Sequence, residues 1–189
     1  MAHRRALLAP KLPQPIASGA PSTTLTTNLP IGWNGETKRN GNEMTFRTGT
    51  VSGSVPGEAS LAVVAQSRPT PGYLTQREER RMLAGTAVAD LRRIVIDKMI
   101  TAGGWVVNDY QRDMAGYQVF VVTAQTPGDA RSPEKSWNFY FTELNGRIYS
   151  LTTNTPRQFS DRMAADAEKF IGSLHAPNPG SQSSQAFQR

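Results

Sequence analysis

Four consecutive β-segments followed by one amphipathic helix occupy the stretch from Trp105 to Leu174. The segments are rich in β-branched and aromatic residues and are predicted at Trp105–Tyr110, Tyr117–Thr126, Lys135–Leu144 and Arg147–Thr153. Asn145-Gly146 separates the last two, and this pair is a strong hairpin signal because a type I′ turn needs positive φ at both positions. The order predicts an antiparallel sheet flanked by helices.

The predicted hairpin turn also fixes which residues face each other. Pairing across Asn145-Gly146 puts Phe141 opposite Ser150 and Tyr140 opposite Leu151. Glu143 and Ile148 form the next pair on the face of Phe141, and Thr142 and Tyr149 form the next pair on the face of Tyr140. Because both faces carry aromatic or aliphatic groups, we expect both faces of the sheet to be covered.

Two helices are predicted on either side of the β-segments. The first is expected over 75–101, with Thr75 as N-cap, Glu78 completing a capping box and Gly103-Gly104 ending it. The second is expected to start with Thr155 as N-cap and Pro156 at the first helical position. Its apolar stripe consists of Phe159, Met163, Ala167, Phe170 and Leu174.

The remaining chain completes a single α+β domain over residues 29–175. Glu43–Thr48 and Leu61–Ala65 are predicted strands, joined by a Gly/Ser-rich loop over Gly49–Gly57. Residues 1–28 and 176–189 are predicted to be a disordered leader and a disordered tail. Their composition offers too little apolar area to offset the entropy of ordering.

Charge argues against a nucleic-acid binder. The 189 residues carry a net charge of +6, but residues 75–174 carry 13 Lys/Arg and 12 Asp/Glu and are nearly neutral. The excess lies in residues 1–74, with 7 Lys/Arg and 3 Asp/Glu, whereas a nucleic-acid interface concentrates positive charge on a folded face.

The compartment is left open by the sequence. The chain has no cysteine, which excludes disulfides and thiolate metal sites. The apolar run Ala6–Ala9 is shorter than the apolar region of a signal peptide, and no stretch is long enough to span a membrane. The chain reads as cytoplasmic as it stands, or as extracytoplasmic if a leader has been removed.

Few residues in the predicted domain can carry catalysis. The two histidines, His3 and His175, lie in or beside the terminal segments, and His175 is placed to interact with a helix dipole. Two carboxylate pairs, Asp109 with Asp113 and Asp90 with Asp97, are candidates for acid/base work. Surface carboxylates are far commoner than catalytic ones, so we predict no catalytic residue, no cofactor and no metal.

A binding surface is instead predicted on the aromatic hairpin. Tyr140, Arg147 and Tyr149 are expected to be exposed and to act as anchors for another protein. The aromatic set Trp137, Phe139 and Phe141, with Tyr140 and Tyr149, could also line a ligand pocket, but core packing is the favoured interpretation.

Three short motifs resemble the PsbP/Mog-like superfamily. They are Pro30-Ile31-Gly32-Trp33, the strand from Asn145 to Thr152 and the helix end from Phe170 to Leu174. The resemblance covers about residues 25–174. The chain departs from the superfamily's pattern in its Gly/Ser loop over Gly49–Gly57 and in its basic leader.

The resemblance implies a non-enzymatic module that binds other proteins. The superfamily includes extrinsic photosystem subunits, a Ran-binding protein, bacterial envelope lipoproteins and chaperones of secreted effectors. No lipobox cysteine is present, and no residue that binds Ran or a photosystem cofactor can be matched to a position here. The expected function is a non-catalytic protein-binding or assembly module of a bacterial cell. The alternative is a small ligand-binding domain, or a carboxylate-dependent hydrolase, with a pocket beside the sheet.

Overall fold

A computed structural model of the chain describes residues 28–37, 43–70, 72–130 and 132–174. The strands are β1 (Asn34–Thr37), β2 (Glu43–Thr48), β3 (Gly57–Gln66), β4 (Met82–Leu83), β5 (Thr86–Ala87), β6 (Trp105–Met114), β7 (Tyr117–Thr126), β8 (Lys135–Leu144) and β9 (Arg147–Pro156). The helices are α1 (Gln76–Glu79), α2 (Val88–Thr101), a 3₁₀ turn (Arg157–Phe159) and α3 (Ser160–Gly172). The tail predicted for 176–189, residues 1–27 of the predicted leader, His3 and His175 lie outside the described residues.

Seven of the strands form one antiparallel sheet in the order β1-β2-β3-β9-β8-β7-β6. The chain builds β1 to β3 as neighbours and crosses to the far edge through α1, the β4–β5 hairpin and α2. It then returns through β6, β7 and β8, so that β9 pairs with β3 in the middle of the sheet. The centre of the sheet therefore depends on contacts between residues about 90 positions apart, such as Leu61 with Leu151.

Each face of the sheet packs against one helix, which confirms the predicted α+β class. On the α3 face, Met163 and Phe170 of the helix pack on a buried cluster that includes Leu61, Val121 and Leu151. On the α2 face, the helix buries its apolar stripe on a second cluster. That cluster contains Leu91, Val95 and Met99 of α2 with Phe120, Val122, Phe139, Phe141 and Ile148 of the sheet.

The predicted hairpin is confirmed in its turn and its register. Asn145 and Gly146 have φ of 52° and 72°, as a type I′ turn requires. Phe141 pairs with Ser150 and Tyr140 with Leu151. Both faces of this hairpin are covered, as its pattern of apolar residues indicated.

The prediction of one helix over 75–101 is wrong. The capping box of Thr75 and Glu78 is present, but α1 ends at Glu79 and the β4–β5 hairpin separates it from α2. Ala84 and Gly85 have φ of 48° and 74° in this hairpin, and left-handed residues cannot continue an α-helix. The backbone N–H of Arg68, two residues after the end of β3, donates to the Ala84 carbonyl at 2.9 Å. This hydrogen bond stabilises the hairpin between α1 and α2.

The predicted start of the last helix is also wrong. Strand β9 continues through Pro156, and α3 begins at Ser160 after the 3₁₀ turn. Thr155 does not cap a helix, because it is buried in the strand and its hydroxyl donates to the Pro56 carbonyl at 2.6 Å. Most of the predicted apolar stripe is confirmed: Met163, Ala167 and Phe170 are buried on α3, and Leu174 is buried just after it. Phe159 instead lies in the 3₁₀ turn before the helix and is half-buried.

Candidate functional site

The two tyrosines predicted as exposed anchors are buried, and this expectation is corrected. Tyr140 is 2% exposed and Tyr149 is 4% exposed, since both point to the sheet face that α3 covers. Arg147, at the start of β9, is half-buried. The pairing across the hairpin was predicted correctly, but which helix covers which face is decided by the crossing of distant segments. A buried phenol cannot serve as a surface anchor, so Tyr140 and Tyr149 do not form the predicted binding surface.

The predicted carboxylate pairs do not meet in a common cleft. Asp109 lies on β6, where its carboxylate accepts a hydrogen bond from Arg92 Nε at 2.9 Å. Asp113 lies further along the same strand and is exposed. Asp90 and Asp97 are exposed on α2, as expected for surface carboxylates.

A groove of about 770 Å³ lies on the α2 face of the sheet, beside the helix. Helix α2 packs over the aromatic residues of β7 and β8, whereas the groove is lined on β1, β2, β3 and β9 mainly by small or polar side chains. Ser60 and Thr152 pair directly across β3 and β9 and form the floor. The change from aromatic to small side chains between β8 and β9 creates the groove.

One row of five side chains crosses this groove from strand to strand. The register pairs Asn34 with Arg47, Arg47 with Glu58, Glu58 with Asn154, and Asn154 with Trp137. All five residues line the groove, and we call them the cross-strand row. Paired residues in adjacent strands point to the same face of the sheet. From β1 to β8, the row therefore presents an amide, a guanidinium, a carboxylate, a second amide and an indole.

Two polar members of the row are hydrogen-bonded to each other. Asn154 Nδ2 donates to Glu58 Oε2 at 3.2 Å, and Asn154 itself is 7% exposed. Arg47 is exposed at the position between Asn34 and Glu58. The row therefore combines a fixed carboxylate–amide pair with an exposed guanidinium.

Trp137 and Lys98 form the wall of the groove on the side of α2. The indole of Trp137 stacks on Phe139, with ring centroids 6.3 Å apart and planes 11° apart, and its Nε1 donates to Thr126 Oγ1 at 3.1 Å. Lys98 Nζ lies 5.4 Å from the centre of the Phe139 ring, which is a cation–π contact. Burial lowers the pKa of the Lys98 ammonium below its usual range, and the Glu43 carboxylate partly offsets this shift.

Of the cross-strand row, only Trp137 was considered as a pocket residue from the sequence, and core packing was favoured even there. Strand β9 nevertheless carries a signal in its sequence. Ser150, Thr152 and Asn154 alternate with Tyr149 and Leu151, so one face of the strand is small and polar. That alternation indicates a stretch of small, polar side chains on one face, beside which space for a groove remains. The partners Asn34, Arg47 and Glu58 could not be found in this way, because their place in the row depends on the order of the strands.

Two further features concern the described residues only. Residues 28–37, 43–70, 72–130 and 132–174 contain no group of three or more His, Cys, Asp or Glu side chains that could hold a metal ion. Over the same residues, no helix is long and apolar enough to cross a membrane.

No protein-family model matches the sequence, and no curated protein matches it. Among solved structures, the solution structure of cyanobacterial PsbP (CyanoP) from Synechocystis sp. PCC 6803 is similar with a TM-score of 0.51 and 15% identity. That match covers 86% of this chain and 98% of the cyanobacterial one. A Mog1 variant matches with a TM-score of 0.48 and 8% identity, over 82% of this chain and 92% of its own.

A protein from Bacteroides thetaiotaomicron VPI-5482 matches with a TM-score of 0.48 and 12% identity, over 85% of this chain. This chain spans 48% of the length of that protein. Identities this low concern the fold alone, and the similarity to cyanobacterial PsbP extends over almost all of both chains. The protein described here has a PsbP/Mog-like fold.

Proposed function

We propose that this protein is a non-catalytic binding module that holds a short extended segment of another protein in the groove beside α2. The proposal is carried by the cross-strand row. Asn34, Arg47, Glu58, Asn154 and Trp137 come from five adjacent strands and line one groove. Such a row offers successive, chemically different contacts to a chain that crosses the strands.

The dimensions of the groove fit such a segment. The row spans four strand spacings, or about 19 Å at about 4.8 Å each. An extended chain of about six residues covers this length at about 3.3 Å per residue. The groove volume of about 770 Å³ also lies in the range of ligand sites, about 300–1,000 Å³, so a small ligand is the second candidate occupant.

The chemistry of the row indicates what kind of segment binds. Arg47 can pair with a carboxylate of the segment, and the Glu58–Asn154 pair can accept and donate hydrogen bonds. Trp137 supplies a rigid aromatic wall, the type of residue that dominates the energy of protein interfaces. A segment with an acidic residue near one end and an apolar residue near the other matches this order.

The non-catalytic part of the proposal rests on the groups that line the groove. Among the described residues, its titratable side chains are Glu43, Glu58, Arg47 and Lys98, without a histidine or a cysteine. Glu58 accepts a hydrogen bond from Asn154, and Lys98 contacts the Phe139 ring. These groups bind and orient a ligand, but they do not form a nucleophile activated by an adjacent base. We place the module in a bacterial cell, as the similarity to a cyanobacterial protein suggests.

A peptide-display screen with matched charge variants tests the proposal. Peptides selected on the wild-type protein are labelled, and their Kd is measured by fluorescence anisotropy on Arg47→Glu and Arg77→Glu. Arg77 is exposed on α1 and does not line the groove, so the second variant makes the same charge change outside it. NMR shifts of the Trp137 indole and the Asn154 amide locate the bound peptide.

We expect Arg47→Glu to weaken binding about tenfold or more, because a hydrogen bond to a charged group contributes about 1.5–3 kcal/mol. Arg77→Glu should change the Kd less than about twofold. Peptides that shift residues outside the groove, or that lose equal affinity in both variants, would contradict the proposal. A screen that yields no peptide, while small-molecule fragments shift the groove residues, would establish the second candidate instead.

A further inference from the structure

A second cavity, of about 680 Å³, lies at the N-terminal end of α2. It is lined by the β4–β5 hairpin, the first turn of α2 and the exposed edge strand β6. Its walls are largely apolar and include Leu74, Met82, Val88 and Phe120. None of these residues lines the groove that holds the cross-strand row, so the two sites are distinct.

The carboxylates around this cavity have hydrogen-bond partners, whereas two of its arginines lack an ion-pair partner among the described residues. Arg80, Arg81 and Arg92 line it together with Glu78 and Asp109. The Glu78 carboxylate accepts hydrogen bonds from the Thr75 backbone at 2.8 Å and from the Thr75 hydroxyl at 2.7 Å. Asp109 accepts from Arg92. Within the part of the chain that the structure describes, Arg80 and Arg81 have no carboxylate partner, so positive charge is left over at the rim.

The backbone of Arg80 and Arg81 lies where the β4–β5 hairpin interrupts the helix predicted over 75–101, and the hairpin holds it in place. The N–H of Val88 donates to the Arg81 carbonyl at 2.9 Å, which ties the start of α2 to the segment after α1. Gly85, with φ of 74°, turns the hairpin between them. Arg80 and Arg81 are therefore attached to a fixed backbone, although their side chains are exposed.

We propose that this cavity binds a fatty acid, with the aliphatic chain against the apolar walls and the carboxylate at Arg80 and Arg81. Apolar walls select a hydrocarbon chain, and each methylene group that leaves water strengthens binding about fourfold. The arginine fork matches a carboxylate in a bidentate geometry, and the acids at the rim are already engaged. This site does not depend on the function proposed for the groove.

Isothermal titration calorimetry with dodecanoate, below the concentration at which it forms micelles, tests the proposal. Butanoate has the same headgroup on a short chain, and dodecyltrimethylammonium has the same chain with the opposite charge. The test variant is Arg80→Gln with Arg81→Gln. The matched control is Arg77→Gln with Arg93→Gln, which removes the same charge from exposed arginines that do not line the cavity.

We expect one dodecanoate to bind per chain, and butanoate to bind more than about 100-fold more weakly because about eight methylene groups are lost. The ammonium compound and the test variant should each show affinity reduced about tenfold or more, and the control should stay within about twofold. Methyl NMR signals of Met82 and Val88 should shift on binding. Equal affinity for the anion and the cation, an unchanged Kd in the test variant, or shifts confined to the groove would overturn the proposal.

A separate measurement distinguishes this proposal from the function proposed for the groove. The selected peptides should bind the Arg80→Gln, Arg81→Gln variant with unchanged Kd, since neither arginine lines the groove. Dodecanoate should likewise bind Arg47→Glu as it binds the wild type. If the peptides and dodecanoate compete, the two ligands share a site and the fatty-acid cavity is disproved as an independent site.

Discussion

Trp33 stacks on Phe170, with ring centroids 5.5 Å apart and planes 27° apart, although 137 positions separate the two residues in the chain. Phe46 completes the cluster at 5.7 Å from Trp33 and 5.4 Å from Phe170. Three aromatic rings thus join the turn before β1, the strand β2 and the helix α3. This cluster fixes α3 on the sheet.

Replacement of Phe170 by alanine should lower the free energy of unfolding by roughly 3–5 kcal/mol, because a fully buried ring is removed and a cavity is left. Denaturant unfolding followed by tryptophan fluorescence measures the change. A loss below about 1 kcal/mol would mean that α3 does not depend on this cluster.

Two threonines on β9 should respond in opposite ways to the same substitution. Thr155 Oγ1 donates to the Pro56 carbonyl at 2.6 Å, whereas Thr153 Oγ1 is buried and has no hydrogen-bond partner among the described residues. Thr155→Val should destabilise the protein by about 0.5–1.5 kcal/mol, since the part-buried hydrogen bond to the Pro56 carbonyl is lost. Thr153→Val should be neutral or stabilising, since it removes an unsatisfied hydroxyl at nearly constant volume.

Thermal and denaturant unfolding of both valine variants test this pair. Each variant is the control for the other, because both residues point to the α3 face of the same strand. Equal destabilisation by both changes would show that the hydroxyl bonds do not account for the difference.

The hairpin that separates α1 from α2 should depend on Gly85. Its φ is 74°, and a Cβ at this position would collide with the carbonyl oxygen of Arg68. Gly85→Ala should therefore cost about 1–3 kcal/mol, the range for a residue held in a disfavoured backbone conformation. Gly72→Ala is the matched control, because no atom in the described part of the chain lies within 4 Å of a Cβ at Gly72. Equal free energies of unfolding for the two variants would contradict this assignment.

Tyr140 should make stability depend on alkaline pH. Burial raises the pKa of its phenol well above the usual value of 10.0, and nearby Tyr110 and Glu168 act in the same direction. Below about pH 9 the phenol is protonated in both states. As the pH rises further, the unfolded chain loses the proton first, so the free energy of unfolding falls.

The variant Tyr140→Phe cannot ionise at this position, so its stability should fall less steeply than that of the wild type between about pH 9 and 11. Parallel denaturation curves at each pH measure the two slopes, and the difference between the proteins isolates Tyr140 from other titrating groups. Identical slopes would show that the phenol ionises equally easily in the folded and unfolded chains.

Predictions that rest on neighbours in the sequence agree with the structure. Four consecutive residues, Leu144 to Arg147, set the Asn145-Gly146 turn, and the register of Tyr140 with Leu151 follows from it. The Thr75–Glu78 capping box and the stripe of α3 are local in the same sense. The fold class, an antiparallel sheet with helices, follows from the order of such elements.

The predictions that failed depend on distant partners. Thr155 can cap a helix by its local sequence, but pairing of β9 with β8 keeps the strand going to Pro156. The break at Gly85 is held by Arg68, and the tyrosines are buried by α3. Each of these outcomes adds buried area or long-range hydrogen bonds. Their stabilising free energy exceeds that of a local conformational propensity, which is a few tenths of a kcal/mol to about 1 kcal/mol.

The sequence by itself determined the β-segments, their alternation, the hairpin turn and the apolar stripe of the last helix, because these depend on steric preferences of adjacent residues. Only the tertiary structure decided the strand order, which helix covers which face and hence where the groove lies. Asn34, Arg47 and Glu58 meet Asn154 and Trp137 only after β9 inserts between β3 and β8. The physical reason is that burial of the two apolar clusters selects one pairing of distant strands, and the cross-strand row is a consequence of that selection.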